Sequence, residues 1–382
     1  MTDIRPQSAS ISAFNSLKFR FWSFIAMFLL VFVHGYNLNE NYLQPWTIPG
    51  EPMTFTAFTE YFLANGIFRF RIPMLFIISG YLFALHDYRP YGQRTRKRLR
   101  TLFIPYIIWS SVGLAFTWLL ELHPFTRDIV AGSHIVQIDG SRLLLHDYHW
   151  YELAARWILI PVPYQLWFIR VLLIYNIAYP AIRWCIQHHS GQWIFFGLAF
   201  LMWLSTAGFV FFEGEGLLFF SLGVWMQKKN FDIDKPNPML NPLWWGIAFV
   251  MLSVLKTWLA FNGEPLLGNS VYPLLTIMHK LVIVGGLISA WYGGNGIVEF
   301  FMKKPWFVWL SAFSFIIYAF HAPLVAYATK AVFNEVHEMV AYRMLTFILL
   351  PLTIIAVAVG FGALLRRFLP GLYGVLTGGR GF

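Results

Sequence analysis

Long apolar runs separated by short polar or basic stretches recur along almost the whole chain. Ten of them occupy residues 19–36, 72–85, 102–120, 164–182, 193–212, 216–226, 243–261, 271–292, 306–328 and 344–365. A helix needs about 20 apolar residues to cross the hydrocarbon of a bilayer, and most of the runs approach that length. The runs at 72–85 and 216–226 are short, although 62–70 would lengthen the first. The pattern predicts an all-α, polytopic integral membrane protein with about ten transmembrane helices. It divides the chain into an N-terminal segment 1–18, a membrane domain 19–368 and a tail 369–382. Two intervening segments, 37–71 and 122–163, are long enough to carry structure of their own.

Composition agrees. Hydrophobic residues make up 58% of the 382 and charged residues only 12%, against roughly 45–50% and 25% in soluble domains. Mean hydropathy is +0.58. A soluble core stops growing near about 250–300 residues, so water cannot be the solvent for most of this chain. Disorder and a collagen-like fibre are excluded by the same composition, and the single cysteine, Cys185, excludes a disulfide scaffold.

The formal net charge is +10, from 28 Lys+Arg against 18 Asp+Glu. Its distribution reports topology rather than nucleic-acid binding, because Lys and Arg in short loops stay cytoplasmic. With the N-terminus inside, the cytoplasmic segments hold 18 basic residues against five acids, Asp3, Asp87, Asp232, Asp234 and Glu299. Both termini are therefore expected in the cytoplasm. Lys18 and Arg20 stand at the start of the first run, and no clear small-residue cleavage site follows it, so it reads as a retained span rather than a signal peptide. No internal repeat is evident.

Ionisable groups within spans are costly and mark functional candidates. They are His34, Arg170, Lys256, His279, Lys280 and His321, with Arg71 at a helix entrance. His34 closes the first span, 14 residues or about 21 Å of helix rise from Arg20. An imidazole removed from water favours its neutral form, which suits a general base; the same position suits a histidine that meets water at the headgroups. Arg170 cannot shed its charge and must face a partner or a wet cavity. The lysines also have the option of snorkelling. The run RTRKRLR, with Arg94, Arg96, Lys97, Arg98 and Arg100, is suited to phosphates of a ligand or to anionic lipid headgroups. His146 and His149 form an HxxH pair without a third ligand at convincing spacing, so no metal is expected.

Five segments in order resemble the membrane-bound acyltransferase-3 superfamily, including its glucan-succinylating branch. They are FWSFIAMFLLVFVH ending at His34, FRFRIPMLFIISGYLFA from Phe68, RKRLRTLFIPYIIW from Arg96, YQLWFIRVLLIY from Tyr164, and SAFSFIIYAFHAPL from Ser311. The resemblance implies transfer of an acyl group from a cytoplasmic acyl-CoA, acetyl-CoA by default or succinyl-CoA, to a hydroxyl of a carbohydrate across or at the membrane. It implies His34 as the catalytic base, no permanently bound cofactor, and residence in the bacterial inner membrane. Many members carry an arginine three turns before that histidine, where this chain has Ser23; Arg20, almost a turn earlier, partly replaces it.

On this reading Arg20 and the basic run would hold the donor's phosphates. Arg170 or Tyr318 would meet the oxyanion, as would hydroxyls of Ser79 and Tyr81, which also stand with Arg71 and His321 as substrate contacts. A covalent acyl-histidine is the competing route. Arg71 also suits the free carboxylate of a dicarboxylic acyl group. A membrane transporter or flippase for an envelope glycan or small anion is the main alternative, because intramembrane charges also line translocation paths, and a non-catalytic envelope scaffold is a third. Oligomeric state is not legible.

Overall fold

The computed structural model describes residues 11–40, 42–138, 142–336 and 341–381. All regular structure among them is helical, apart from one isolated bridge between Gly208 and Glu213. Helix α1 (Ala13–Val33) starts where Ser12 accepts a hydrogen bond from the Asn15 amide at 3.1 Å, a standard N-cap. Residues 1–10 of the expected N-terminal segment lie outside the described residues.

Helix α2 (Phe55–Asn65), a 3₁₀ turn (Ile67–Phe70) and α3 (Arg71–Leu85) join into one apolar stretch of 31 residues, so 62–70 does lengthen the short second run. Helix α4 (Tyr91–Arg98) passes through a π-turn (Leu99–Phe103) into α5 (Ile104–Leu120). Pro105 has no N–H to offer the Thr101 carbonyl four residues back, which disturbs the ladder there. The segment 122–163 carries α6 (Pro124–Ser133) and α7 (Trp150–Ile158).

Then follow α8 (Trp167–Gln187), α9 (His189–Leu204), α10 (Gly214–Lys228), α11 (Pro242–Asn262), the short α12 (Glu264–Leu267) and α13 (Val271–Gly293). The last part holds α14 (Asn295–Met302), α15 (Pro305–Ser311), α16 (Ser314–Phe320), α17 (Leu324–Val336), α18 (Tyr342–Phe368) and α19 (Pro370–Thr377).

By length and apolarity seven of these helical stretches can span a bilayer, or eight if α16 and α17, bent by 57°, are one broken span. The expected count was ten. Every expected run has helices over it, but α9 and α10 have only 16 and 15 residues. The run 193–212 stops being helical at Leu204, because Thr206 takes a left-handed backbone and the chain turns back through the Gly208–Glu213 bridge. The run 306–328 is divided among α15, α16 and α17, with Pro323 at the second division, where a helix cannot continue unbroken.

The two shortest expected spans lie against each other. A Cβ on Gly80 of α3 would stand 2.0 Å from the Phe220 carbonyl oxygen, and one on Gly223 of α10 would stand 2.1 Å from that of Ile77. Only glycines let two backbones approach so closely. Around this contact Phe76, Tyr175, Phe220 and Tyr318 are almost fully buried.

One carboxylate fastens several helices at the end of the bundle opposite His34. Asp87 receives Arg94 at 2.8 Å, Arg183 at 3.1 Å, Lys228 at 2.6 Å and the Tyr179 hydroxyl at 2.8 Å. Burial alone would raise its pKa; the Lys228 and Tyr179 hydrogen bonds, with the surrounding cations, outweigh it and hold the carboxyl below its usual range.

Candidate functional site

His34 occupies the C-cap of α1, its backbone N–H bonded to the Val31 carbonyl at 3.2 Å. Its ring stands edge-on to Tyr164, with centroids 4.8 Å apart, and is stacked on His321 at 5.5 Å and 21°. His321 is fully buried at the end of α16. Its Nδ1 lies 3.0 Å from the Ile317 carbonyl. A carbonyl only accepts, so Nδ1 carries the hydrogen and Nε2 is left with its lone pair. That Nε2 is buried and makes no hydrogen bond to the described residues.

His34 lines a cavity of about 510 Å³ whose walls also include Arg69, Arg71, Tyr164, Glu213 and Glu215, whereas His321, expected from the sequence as a substrate contact, is not among the lining residues and packs behind His34. The volume suits a small ligand or part of a larger one. Arg71 donates to the Phe68 carbonyl at 2.7 Å and Arg69 to that of Leu43 at 2.6 Å, while the Nε of each is buried without a hydrogen-bond partner among the described residues. Glu213 caps α10 by accepting from the Gly216 amide at 3.2 Å. Glu215 lies within charge-interaction range of Lys280, Arg69 and Arg71. His279 and Lys280 also line the cavity, whereas Lys256 is buried behind it, donating to the Asn65 carbonyl at 2.6 Å.

The remaining sequence candidates are distributed elsewhere. Tyr318 and Arg170 do not line the cavity. Tyr318 donates to the Gln165 carbonyl at 2.7 Å, and Gln165 Nε2 donates to the Ala319 and Ala322 carbonyls at 3.1 Å each. This brace fixes the backbone on both sides of His321. Arg170 lies near Tyr106 and Tyr318. Tyr81 is ten residues, about 15 Å of helix rise, beyond Arg71, and lines a second, apolar cavity of about 320 Å³ with Phe19 and Trp291. Ser79 lines neither cavity.

At the Asp87 end, Arg94 is engaged by its ion pair, Arg98 lies against the Phe83 ring, and Arg96, Lys97 and Arg100 are exposed. Arg20 ties α1 to α15, donating to Ser311 Oγ at 2.8 Å and to the Val308 carbonyl at 2.5 Å. Among the described residues no three His, Cys, Asp or Glu side chains converge to hold a metal. His146 instead contacts Glu121 at 2.6 Å and stacks on Trp118.

Arg69, Tyr164, Glu213 and Glu215 are cavity residues that the sequence did not single out. Residues two apart on an α-helix point about 200° away from each other. The 3₁₀ turn before Arg71 changes that phase and brings both Arg69 and Arg71 to the cavity. The two glutamates sit in FEGEG, between two apolar runs, where a pair of acids flanked by glycines was the available signal.

The family profile described as an acyltransferase domain (acyltransferase-3) matches residues 24–366. The succinoglycan biosynthesis protein ExoH of Rhizobium meliloti (strain 1021) is 24% identical over 326 residues, covering 84% of this chain and 81% of that protein. No solved structure matches the chain.

Proposed function

Since the chain belongs to the acyltransferase-3 family, we propose that it is a membrane O-acyltransferase that modifies a polysaccharide or its carbohydrate precursor. That it is an enzyme transferring acyl groups follows from the family; a carbohydrate acceptor is favoured by the relative's role in succinoglycan biosynthesis. The observation that carries the site assignment is the stacked His34–His321 pair beside a cavity edged by Arg69 and Arg71.

In this reading acyl-CoA is the donor, with acetyl the default acyl group and succinyl the second choice. His34 removes the proton from an acceptor hydroxyl as its oxygen attacks the thioester carbonyl carbon. The negative charge of the tetrahedral intermediate falls to Arg71 or Arg69, the cations nearest the histidines in the cavity wall. Collapse breaks the carbon–sulfur bond, and the departing thiolate takes the proton from His34. Tyr318 and Arg170 act from behind the site. In this reading the acceptor approaches from the cavity side, taken as the extracytoplasmic face because the charge asymmetry of the sequence favours that sidedness, and the membrane is the bacterial inner membrane that the resemblance implies.

The test is transfer of a labelled acyl group from acyl-CoA into carbohydrate by membranes bearing wild-type or His34→Ala protein, with the products identified by mass spectrometry. Loss of a general base lowers the rate by roughly 10²–10⁴-fold. Undiminished transfer by the variant would remove His34 from the mechanism.

A further inference from the structure

The tail after α19 is built into the bundle. Gly378 has φ +61°, and a Cβ there would stand 2.3 Å from the Thr101 carbonyl oxygen; one on Gly381 would stand 2.2 Å from that of Ala312. Arg366 Nη1 holds the Gly381 carbonyl at 2.9 Å. Between those glycines Arg380 donates through Nη1 to Thr101 at 2.8 Å and to Thr377 at 3.0 Å, and its guanidinium lies over the Phe315 ring at 5.0 Å. Thr101 is the carbonyl that Pro105 leaves without its helical donor, so one arm of Arg380 has a structural task.

The other arm has none. Nε and Nη2 of Arg380 make no hydrogen bond to the described residues, and no carboxylate among them pairs with the guanidinium. Burial, and after it the like charge of Arg98, disfavour the charged form of Arg380. An arginine does not relieve such a situation by losing its proton, and the free donors of this half-buried guanidinium are open to an anion from solution. Arg98 likewise has no carboxylate partner among the described residues, unlike Arg94, which pairs with Asp87. The pair therefore forms a half-buried cationic spot at the Asp87 end, reachable from solvent and without a carboxylate partner among the described residues. Helix α16 connects it to the reacting centre: Phe315, under Arg380, and His321, against His34, are six residues or about 9 Å of rise apart.

We propose that Arg380 and Arg98 seat the phosphate groups of the acyl-CoA donor, so that the tail 378–381 is part of the donor site. The proposal rests on the reading of acyl-CoA as donor. Its chemistry is a forked, charge-assisted contact from Arg380 to a phosphate, with Arg98 beside it.

The experiment compares acyl-CoA with acyl-pantetheine, which offers the same thioester without phosphates, using membrane-embedded wild-type, Arg380→Gln, Arg380→Lys and Arg98→Gln proteins. The expected result is a KM for acyl-CoA raised about 10-fold to 150-fold in Arg380→Gln, the range for a lost charged hydrogen bond. A smaller rise is expected in Arg380→Lys, and the KM for acyl-pantetheine should be unchanged. An equal loss with both donors, or no loss with either, overturns the proposal and leaves Arg380 as a cap for Thr101. Wild-type protein that uses neither thioester overturns the donor reading itself.

Discussion

Replacing Gly80 by alanine adds one methyl group at the closest backbone contact between α3 and α10. The new Cβ would lie 2.0 Å from the Phe220 oxygen, against a practical minimum of 3.0 Å, so the backbones must part by about 1 Å. Overpacking of this kind costs about 1–3 kcal/mol, which is roughly a 5-fold to 150-fold change in the folded-to-unfolded ratio. It should also disturb the cavity, because α3 carries Arg71 and α10 begins between Glu213 and Glu215. At Gly360 in α18, by contrast, an added methyl would meet nothing within 4 Å. Alanine there should stabilise by about 0.4–1 kcal/mol, since glycine is the poorer helix former. The assay is thermal unfolding of the two detergent-solubilised variants beside wild type, with acyl transfer measured in membranes. Opposite shifts are expected, with transfer reduced only in Gly80→Ala. A Gly80→Ala protein as stable as wild type would refute the packing argument.

Asp87→Asn should destabilise the Asp87 end by about 3–5 kcal/mol, because it leaves closely grouped cations without their anion. Since the folded-state pKa of Asp87 is lowered, its contribution is complete above the ordinary aspartate value near 3.9 and is lost as pH falls through the folded value. The melting temperatures of wild type and Asp87→Asn should therefore stay apart above pH 4 and draw together only as the pH falls below it, through the lowered folded-state value. Tyr318→Phe removes the hydroxyl that braces the His321 segment; a lower kcat with little change in KM is expected, and an unchanged kcat would argue against a positioning role. Arg69→Gln should lower transfer while Arg127→Gln, on the exposed face of α6, should not; equal behaviour in steady-state assays would remove Arg69 from the site.

His34 and Arg71 were legible because each is a charged or titratable residue at the boundary of an apolar run, where lipid makes its presence expensive. The all-helical membrane fold followed from run length for the same reason. Span boundaries were less legible: 209–212 is as apolar as the helix before it, and nothing in those side chains announces the turn at Thr206. Arg69 was not legible, because a constant helical phase sets it about 200° from Arg71 and only the 3₁₀ turn brings both to the cavity. The approach of Arg380 to Thr101 joins residues 279 positions apart, a separation over which local periodicity carries no information. The basic run was visible, yet its members differ: among the described residues Arg94 reaches a carboxylate and Arg98 does not, and only the position of Asp87 decides which.

The Asp87 cluster also imposes an order on biogenesis. Its nearest partner in sequence, Arg94, is made almost at once, so the loop between α3 and α4 can form its own ion pair before the later helices exist. Arg183 and Lys228 arrive later, when α8 and α10 have been synthesised, and each then latches onto a carboxylate already in place. A chain that ends before residue 228 would thus hold a half-finished junction, and the junction closes only once α8 and α10 stand beside α3.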